Sequence, residues 1–143
     1  MAQLTVCFDI DGVLCSLTSG DYDKAAPNAE AIALVNDLYA RGVRIILHTA
    51  RFMGRTKGDS DAARRLGQDL TQKQLTEWGV RFHELHMGKP SYDVVIDDRS
   101  VFFENDWARI RDALNRLVPE ANPAPVQFAG SPDAPLELPS RRQ

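Results

Sequence analysis

Cysteine is scarce. Cys7 and Cys15 are the chain's two, too few for a disulfide framework and without the spacing of a zinc motif. No apolar stretch approaches the ~20 residues of a membrane span, and Met1 to Ile10 lacks the basic flank of a signal peptide. Basic charge is not in excess either: 17 Lys and Arg stand against 20 Asp and Glu, a net charge of −3. That balance argues against a general nucleic-acid coat and against a polybasic membrane anchor. These absences predict a cytoplasmic protein with no membrane partner. Proline is nearly missing from the first 118 residues, whereas six of the eight prolines fall between 119 and 143.

Proline fixes φ and removes a backbone donor, so residues 119–143 are predicted to be an extended or disordered tail. The body, 1–118, has what a core needs. The chain is 43% hydrophobic and 26% charged over 143 residues. A chain of that size buries roughly 70% of its unfolded surface. Strand and helix signals alternate along it. Leu4–Phe8 and Val43–Leu47 are short β-rich apolar runs, and further strands are expected near Glu84–Met87 and Asp93–Ile96. Between them, Ile32, Val35, Leu38 and Tyr39 recur at helical spacing, with Asn28 as a cap and Gly42 as a stop. A second helix is expected from Asp59 or Ser60 to Trp78, with Leu66, Leu70, Leu75 and Trp78 inward and an interior Gly67 interrupting the pattern. Trp107, Ile110, Leu114 and Leu117 mark a third. This alternation predicts an α/β fold: a Rossmann-like three-layer sandwich around a mainly parallel sheet. Cys7 and Cys15 read as buried thiols. His48, His83 and His86 do not make a zinc set.

In such sheets the binding crevice lies outside the carboxyl ends of the strands. Four polar clusters fall there: Asp9-Ile10-Asp11-Gly12, His48-Thr49-Ala50-Arg51, Gly88-Lys89-Pro90 and Asp97-Asp98-Arg99. Several carboxylates in one cavity repel unless a cation neutralises them, and hard oxygen ligands suit Mg²⁺ bridging to a substrate phosphate. Lys89, the Thr49 hydroxyl and the amides of the Asp11-Gly12 turn offer charge and donors for phosphate oxygens. One carboxylate can attack phosphorus, and a second, two residues on, can protonate the leaving oxygen and later activate water. The set describes phosphoryl transfer.

Asp9-Ile10-Asp11-Gly12-Val13-Leu14, Thr49, Lys89 and Asp97-Asp98 resemble, in order, the four motifs of the haloacid dehalogenase superfamily, over residues 4 to about 104. The spacing is similar to small capless members, some associated with capsular polysaccharide biosynthesis. The resemblance implies Asp9 as nucleophile and metal ligand, and Asp11 as general acid/base with its carbonyl on the metal. It implies Thr49 and Lys89 as holders of the phosphoryl group. Asp97 would be a direct ligand of Mg²⁺ and Asp98 a nearby or water-mediated one. Val13 departs from the threonine common there, a position that supports the turn more than the chemistry.

The expected activity is therefore a Mg²⁺-dependent phosphomonoesterase acting through an aspartyl-phosphate, on a phosphorylated sugar or other sizeable ester. Alternatives are a nucleotide or polynucleotide-end phosphatase, and a non-catalytic phosphate-binding or regulatory module on the same fold. A signalling receiver fails on the order of its residues, and Gly54-Arg55-Thr56-Lys57-Gly58 is not a P-loop. The gaps between motifs leave no room for a cap domain, so the site should be open, its specificity set by a rim or by a second copy in a homo-oligomer. Gly12, Ala50, Arg51, Arg55 and Lys57 are the substrate-binding candidates. Residues 41–65 carry seven Arg or Lys against two Asp, a patch suited to an anion or else a solvated helix start. Arg51 either clamps substrate or pairs with an acid.

Overall fold

A computed structural model describes residues 3–118; the Pro-rich tail expected at 119–143 lies outside the described residues. Three strands, β1 (Thr5–Asp9), β2 (Arg44–Thr49) and β3 (Glu84–Met87), form one parallel sheet in chain order. Helices α1 (Ala29–Ala40) and α2 (Ser60–Glu77) make the two crossovers, and α3 (Trp107–Asn115) follows β3 after a long irregular stretch. No domain is inserted anywhere in this series. Among the described residues no helix is long and apolar enough to cross a membrane.

The helix ends follow the sequence. Asn28 accepts from the Ala31 amide, Asp59 from that of Ala62 and Asp106 from that of Arg109, so each helix begins on a side-chain cap. Each such cap stabilises by about 1 kcal/mol. Past the C-cap of α1, Gly42 turns the chain at φ 85°, a left-handed value that side-chain-bearing residues resist.

The register sorts the strands into two unlike faces. Phe8, Ile45 and Leu47, with Val6 and Leu85, pack against Leu34, Val35 and Leu38 of α1 and against Trp107, Ile110 and Leu114 of α3. On the other face Cys7 lies beside Ile46 and Glu84, and Asp9 beside His48 and His86. That face is half-buried or exposed, and so Cys7, expected to be a buried thiol, is exposed; Cys15 is buried as expected.

Three further expectations differ. Leu66 is 58% exposed, because the inward stripe of α2 is Ala63, Gly67, Thr71, Gln74 and Leu75. The anticipated strand at Asp93–Ile96 does not form: 90–106 runs irregularly, with Val94, Val95 and Ile96 on the surface. Asp97 instead turns locally, its carboxylate accepting from the Arg99 amide and its carbonyl from the Ser100 hydroxyl. Such side-chain bonds offer the backbone an alternative to a strand ladder. Leu117, placed in the core by spacing, is also largely exposed, and Val118 is buried instead.

Gly67, anomalous in the helical pattern, has a packing cause. A Cβ there would overlap the Phe52 ring and stand 3.1 Å from the Met87 methyl. Gly67→Ala in an exposed helix would stabilise by up to about 1 kcal/mol. Here it is expected to destabilise by about 1–3 kcal/mol through overpacking, read as a lower thermal midpoint. An unchanged or higher midpoint would show that Phe52 moves aside freely.

Candidate active site

The site is built where β1 ends. Ile10 is fully buried and its carbonyl accepts from the amides of Val13, Leu14 and Cys15, at 3.2, 2.8 and 3.3 Å. This tight turn requires Gly12 at φ 84° and leaves Asp9 and Asp11 on either side of the buried residue. Asp9 Oδ1 accepts from the Ile10 amide at 2.9 Å. Asp9 Oδ2 accepts from Lys89 Nζ at 2.9 Å, an ion pair joining residues 80 positions apart. The Lys89 amide donates to the Thr49 carbonyl at 3.0 Å, which carries the strand order of the sheet into the loop after β3. Burial alone would depress the Lys89 ammonium, but Asp9, with Tyr92, holds it above the ordinary lysine value of 10.5. The Tyr92 ring lies 5.1 Å from the ammonium.

Asp11 faces a different cation. Arg51 Nε and Nη2 donate to its Oδ1 at 3.1 and 3.0 Å, and Nε also to Oδ2 at 2.9 Å. The Thr49 hydroxyl lies 3.4 Å from Asp11 Oδ2 and itself accepts from the Arg51 amide at 3.0 Å. Arg51 is 1% exposed, and its Nη1 donates to Thr71 at 3.2 Å and to Gln74 at 2.6 Å. Arg51 is therefore the acid-pairing residue of the two readings offered above. Spacing did not point to Thr71 and Gln74. A period-four stripe of small and polar residues, Ala63, Gly67 and Thr71 leading to Gln74, was the available signal. Cys15 completes the group: burial and then the Asp11 charge push its thiol up to about 12, so it stays protonated, 3.5 Å from Asp11 Oδ1.

The rim is ordered by stacking. Arg55 lies over the Phe52 ring at 4.6 Å and the Tyr22 ring at 5.6 Å, and Nη2 donates to the Gly20 carbonyl at 2.7 Å. It thereby latches the loop after β2 to the loop after β1. Lys57 is exposed at a left-handed φ of 56°, and Ala50 sits at the start of the same loop, its carbonyl accepting from the Met53 amide. A shallow, open groove lined by Asp69, Gln72, Lys73, Thr76 and Glu77 lies along the outer face of α2 and shares no residue with this cluster.

Asp97 and Asp98 are not brought to Asp9 and Asp11. Both are exposed in the irregular 90–106 stretch. Among the described residues no three His, Cys, Asp or Glu converge as a metal cage. The four-carboxylate Mg²⁺ set read from the sequence is thus not assembled in this arrangement, in which Lys89 and Arg51 supply the positive charge beside Asp9 and Asp11.

No protein-family model matches the chain. No curated protein matches it either. Solved structures do align with it. A crystal structure of a target protein from Vibrio cholerae aligns over 78% of this chain and 99% of that one, at 21% identity and a TM-score of 0.65. The structure of the Pnkp1/Rnl/Hen1 complex aligns over 80% of this chain and 33% of that one, at 18% identity and a TM-score of 0.45. A second structure of those components, described as an RNA repair complex, gives 18% identity and 0.44, over 80% and 31%. The Vibrio cholerae protein and this chain have the same α/β fold.

Proposed function

We propose that the chain is a phosphomonoesterase of the capless haloacid dehalogenase type. The observation that carries this reading is the 2.9 Å contact of Lys89 with Asp9, which puts a carboxylate nucleophile and a phosphate-binding cation side by side. An Asp9 oxygen bonds to phosphorus as the ester P–O bond breaks, and Asp11, which must enter this step protonated in place of the carboxylate that Arg51 pairs with at rest, passes that proton to the leaving oxygen. Water, deprotonated by Asp11, then releases inorganic phosphate and restores Asp9. Lys89 screens the incoming phosphoryl charge and Thr49 shares its hydroxyl with Asp11, whereas the Gly12 amide, expected to face phosphate, donates to the Cys15 carbonyl at 2.9 Å. Mg²⁺ would be held by Asp9 and the Asp11 carbonyl, with Asp97 and Asp98 as further ligands, and would offset the charge of the transferred phosphoryl group. Engaging Asp97 and Asp98 requires 90–106 to leave its present course.

The test is hydrolysis of an aryl phosphate, of phosphorylated sugars and nucleotides, and of oligonucleotides with 3′ or 5′ phosphates, each with Mg²⁺ and with chelator. Slow aryl phosphate turnover that stops in chelator is the expected result; no hydrolysis of any ester would overturn the reading. On the favoured substrate, a sizeable ester, Lys57→Ala is expected to raise KM and leave aryl phosphate hydrolysis nearly unchanged. Arg55→Ala is expected to act on both substrates, because it also releases the latch to Gly20. Equal loss on both substrates for Lys57→Ala would place that lysine in the catalytic site.

A further inference from the structure

We infer that Arg51 is a positioning residue for Asp11, and that α2 exists in this site to hold Arg51. A long guanidinium side chain carries many rotamers, and fixing it costs about 2 kcal/mol of conformational entropy. Here every direction is fixed. One edge of the guanidinium, Nε and Nη2, takes the Asp11 carboxylate. The remaining nitrogen, Nη1, is tied to Thr71 and Gln74, side chains one helical turn apart on α2. The Tyr22 ring covers the guanidinium at 5.0 Å, and Gln74 Nε2 donates onward to the Tyr22 carbonyl at 2.6 Å. A planar fork so anchored presents two parallel donors in one orientation, and a carboxylate that accepts both has one orientation too. A lysine would supply the charge without the plane.

A phosphate ligand needs an exposed cation, and Arg51 has no exposed face left to give. Its part in the chemistry is indirect. Aspartate on a turn samples several rotamers, whereas a proton donor must meet the leaving oxygen at hydrogen-bond distance. Fixing Asp11 beside Thr49 removes that search. The inference deepens the phosphomonoesterase reading in its kinetic consequence, but the orientation of Asp11 stands on the geometry alone.

The experiment has two arms. In the first, three-bond Hα–Hβ couplings of Asp11 are measured by NMR in the wild type, Arg51→Gln and Arg51→Lys. One rotamer is expected in the wild type, averaging in Arg51→Gln and partial averaging in Arg51→Lys. A single Asp11 rotamer in both folded variants would overturn the proposal whatever the enzyme does. Should Arg51→Gln fail to fold, Arg51→Lys, which keeps the charge, carries both arms.

In the second arm, an alkyl phosphate is compared with an aryl phosphate that has an activated leaving group and needs little proton donation. Arg51→Gln is expected to lose at least roughly tenfold more kcat on the alkyl ester than on the aryl ester. Arg51→Lys should recover part of that difference, and in an Asp11→Asn background Arg51→Gln should add nothing to it. Equal losses on the two esters, or additive losses with Asp11→Asn, would reduce Arg51 to a structural ion pair. If the rotamer averages in the variants but the wild type hydrolyses neither ester, the phosphatase reading falls and the positioning of Asp11 by Arg51 stands.

Discussion

Asp9→Asn is expected to lower phosphate-ester turnover by at least roughly 10³-fold, because an amide oxygen cannot form the acyl phosphate. The fold should survive. The Asn oxygen still accepts from the Ile10 amide, and what is lost is the partly buried ion pair with Lys89. Losing a charge-assisted bond of this kind costs about 1–3 kcal/mol, less than the stability of an ordinary domain. The effect on stability should not depend on pH across the neutral range. A lysine raised by folding contributes fully below its ordinary value of 10.5 and loses that contribution only as pH rises through the higher folded value. Steady-state kinetics and thermal melts at two pH values check both halves. Retained turnover would remove Asp9 as nucleophile.

The second large effect is on stability. Arg51→Met should destabilise by about 3–5 kcal/mol, the range for removing one member of a buried ion pair. It leaves the Asp11 carboxylate facing the Cys15 thiol, and it strands the Thr71 hydroxyl and the Gln74 carbonyl against an apolar side chain. For a chain of this length that corresponds to a fall in melting temperature of roughly 10–20 °C. Asp11→Asn alone should cost less, since Arg51 keeps its anchors on α2. The double variant Asp11→Asn, Arg51→Met should be less destabilised than the sum of the two, because no carboxylate then remains uncompensated. Additive losses in a denaturant or thermal series would show that the two side chains act separately.

Strand ends were the legible part of this molecule. Asp9, Asp11, Thr49 and Lys89 each follow an apolar run, and the rule that ligands gather at carboxyl ends of parallel strands placed them in one region. The structure puts Lys89 on Asp9 and Thr49 near Asp11. Periodicity also found all three α-helices, and with them the Asn28 cap of the first, whereas the Asp106 cap of the third was not foreseen. It failed where a side chain's environment depends on a partner outside its own segment. Asp93–Ile96 has the composition of a strand, but composition does not say which edge receives it, and the local turn at Asp97 satisfies the backbone instead. Leu66 was assigned inward because leucine is apolar, yet the inward stripe of α2 had to be small at Gly67 and polar at Thr71 and Gln74 to admit Phe52 and anchor Arg51. Arg51 had two readings in the sequence, and only its burial separates them.

The sheet order follows the order of synthesis, since β1 pairs with β2 and β2 with β3. Each strand therefore finds its neighbour already made, and no pairing must wait for a later segment to be threaded between earlier ones. The charges arrive in the same sequence. Both carboxylates emerge first, Arg51 reaches Asp11 once β2 is laid down, and Lys89 reaches Asp9 only after β3. During vectorial growth, which proceeds at about 5–20 residues per second, Asp9 is thus the last of the pair to be neutralised. A nascent chain held short of Lys89 would contain the acid with its guanidinium and an Asp9 carboxylate still open to any cation in the surrounding solution.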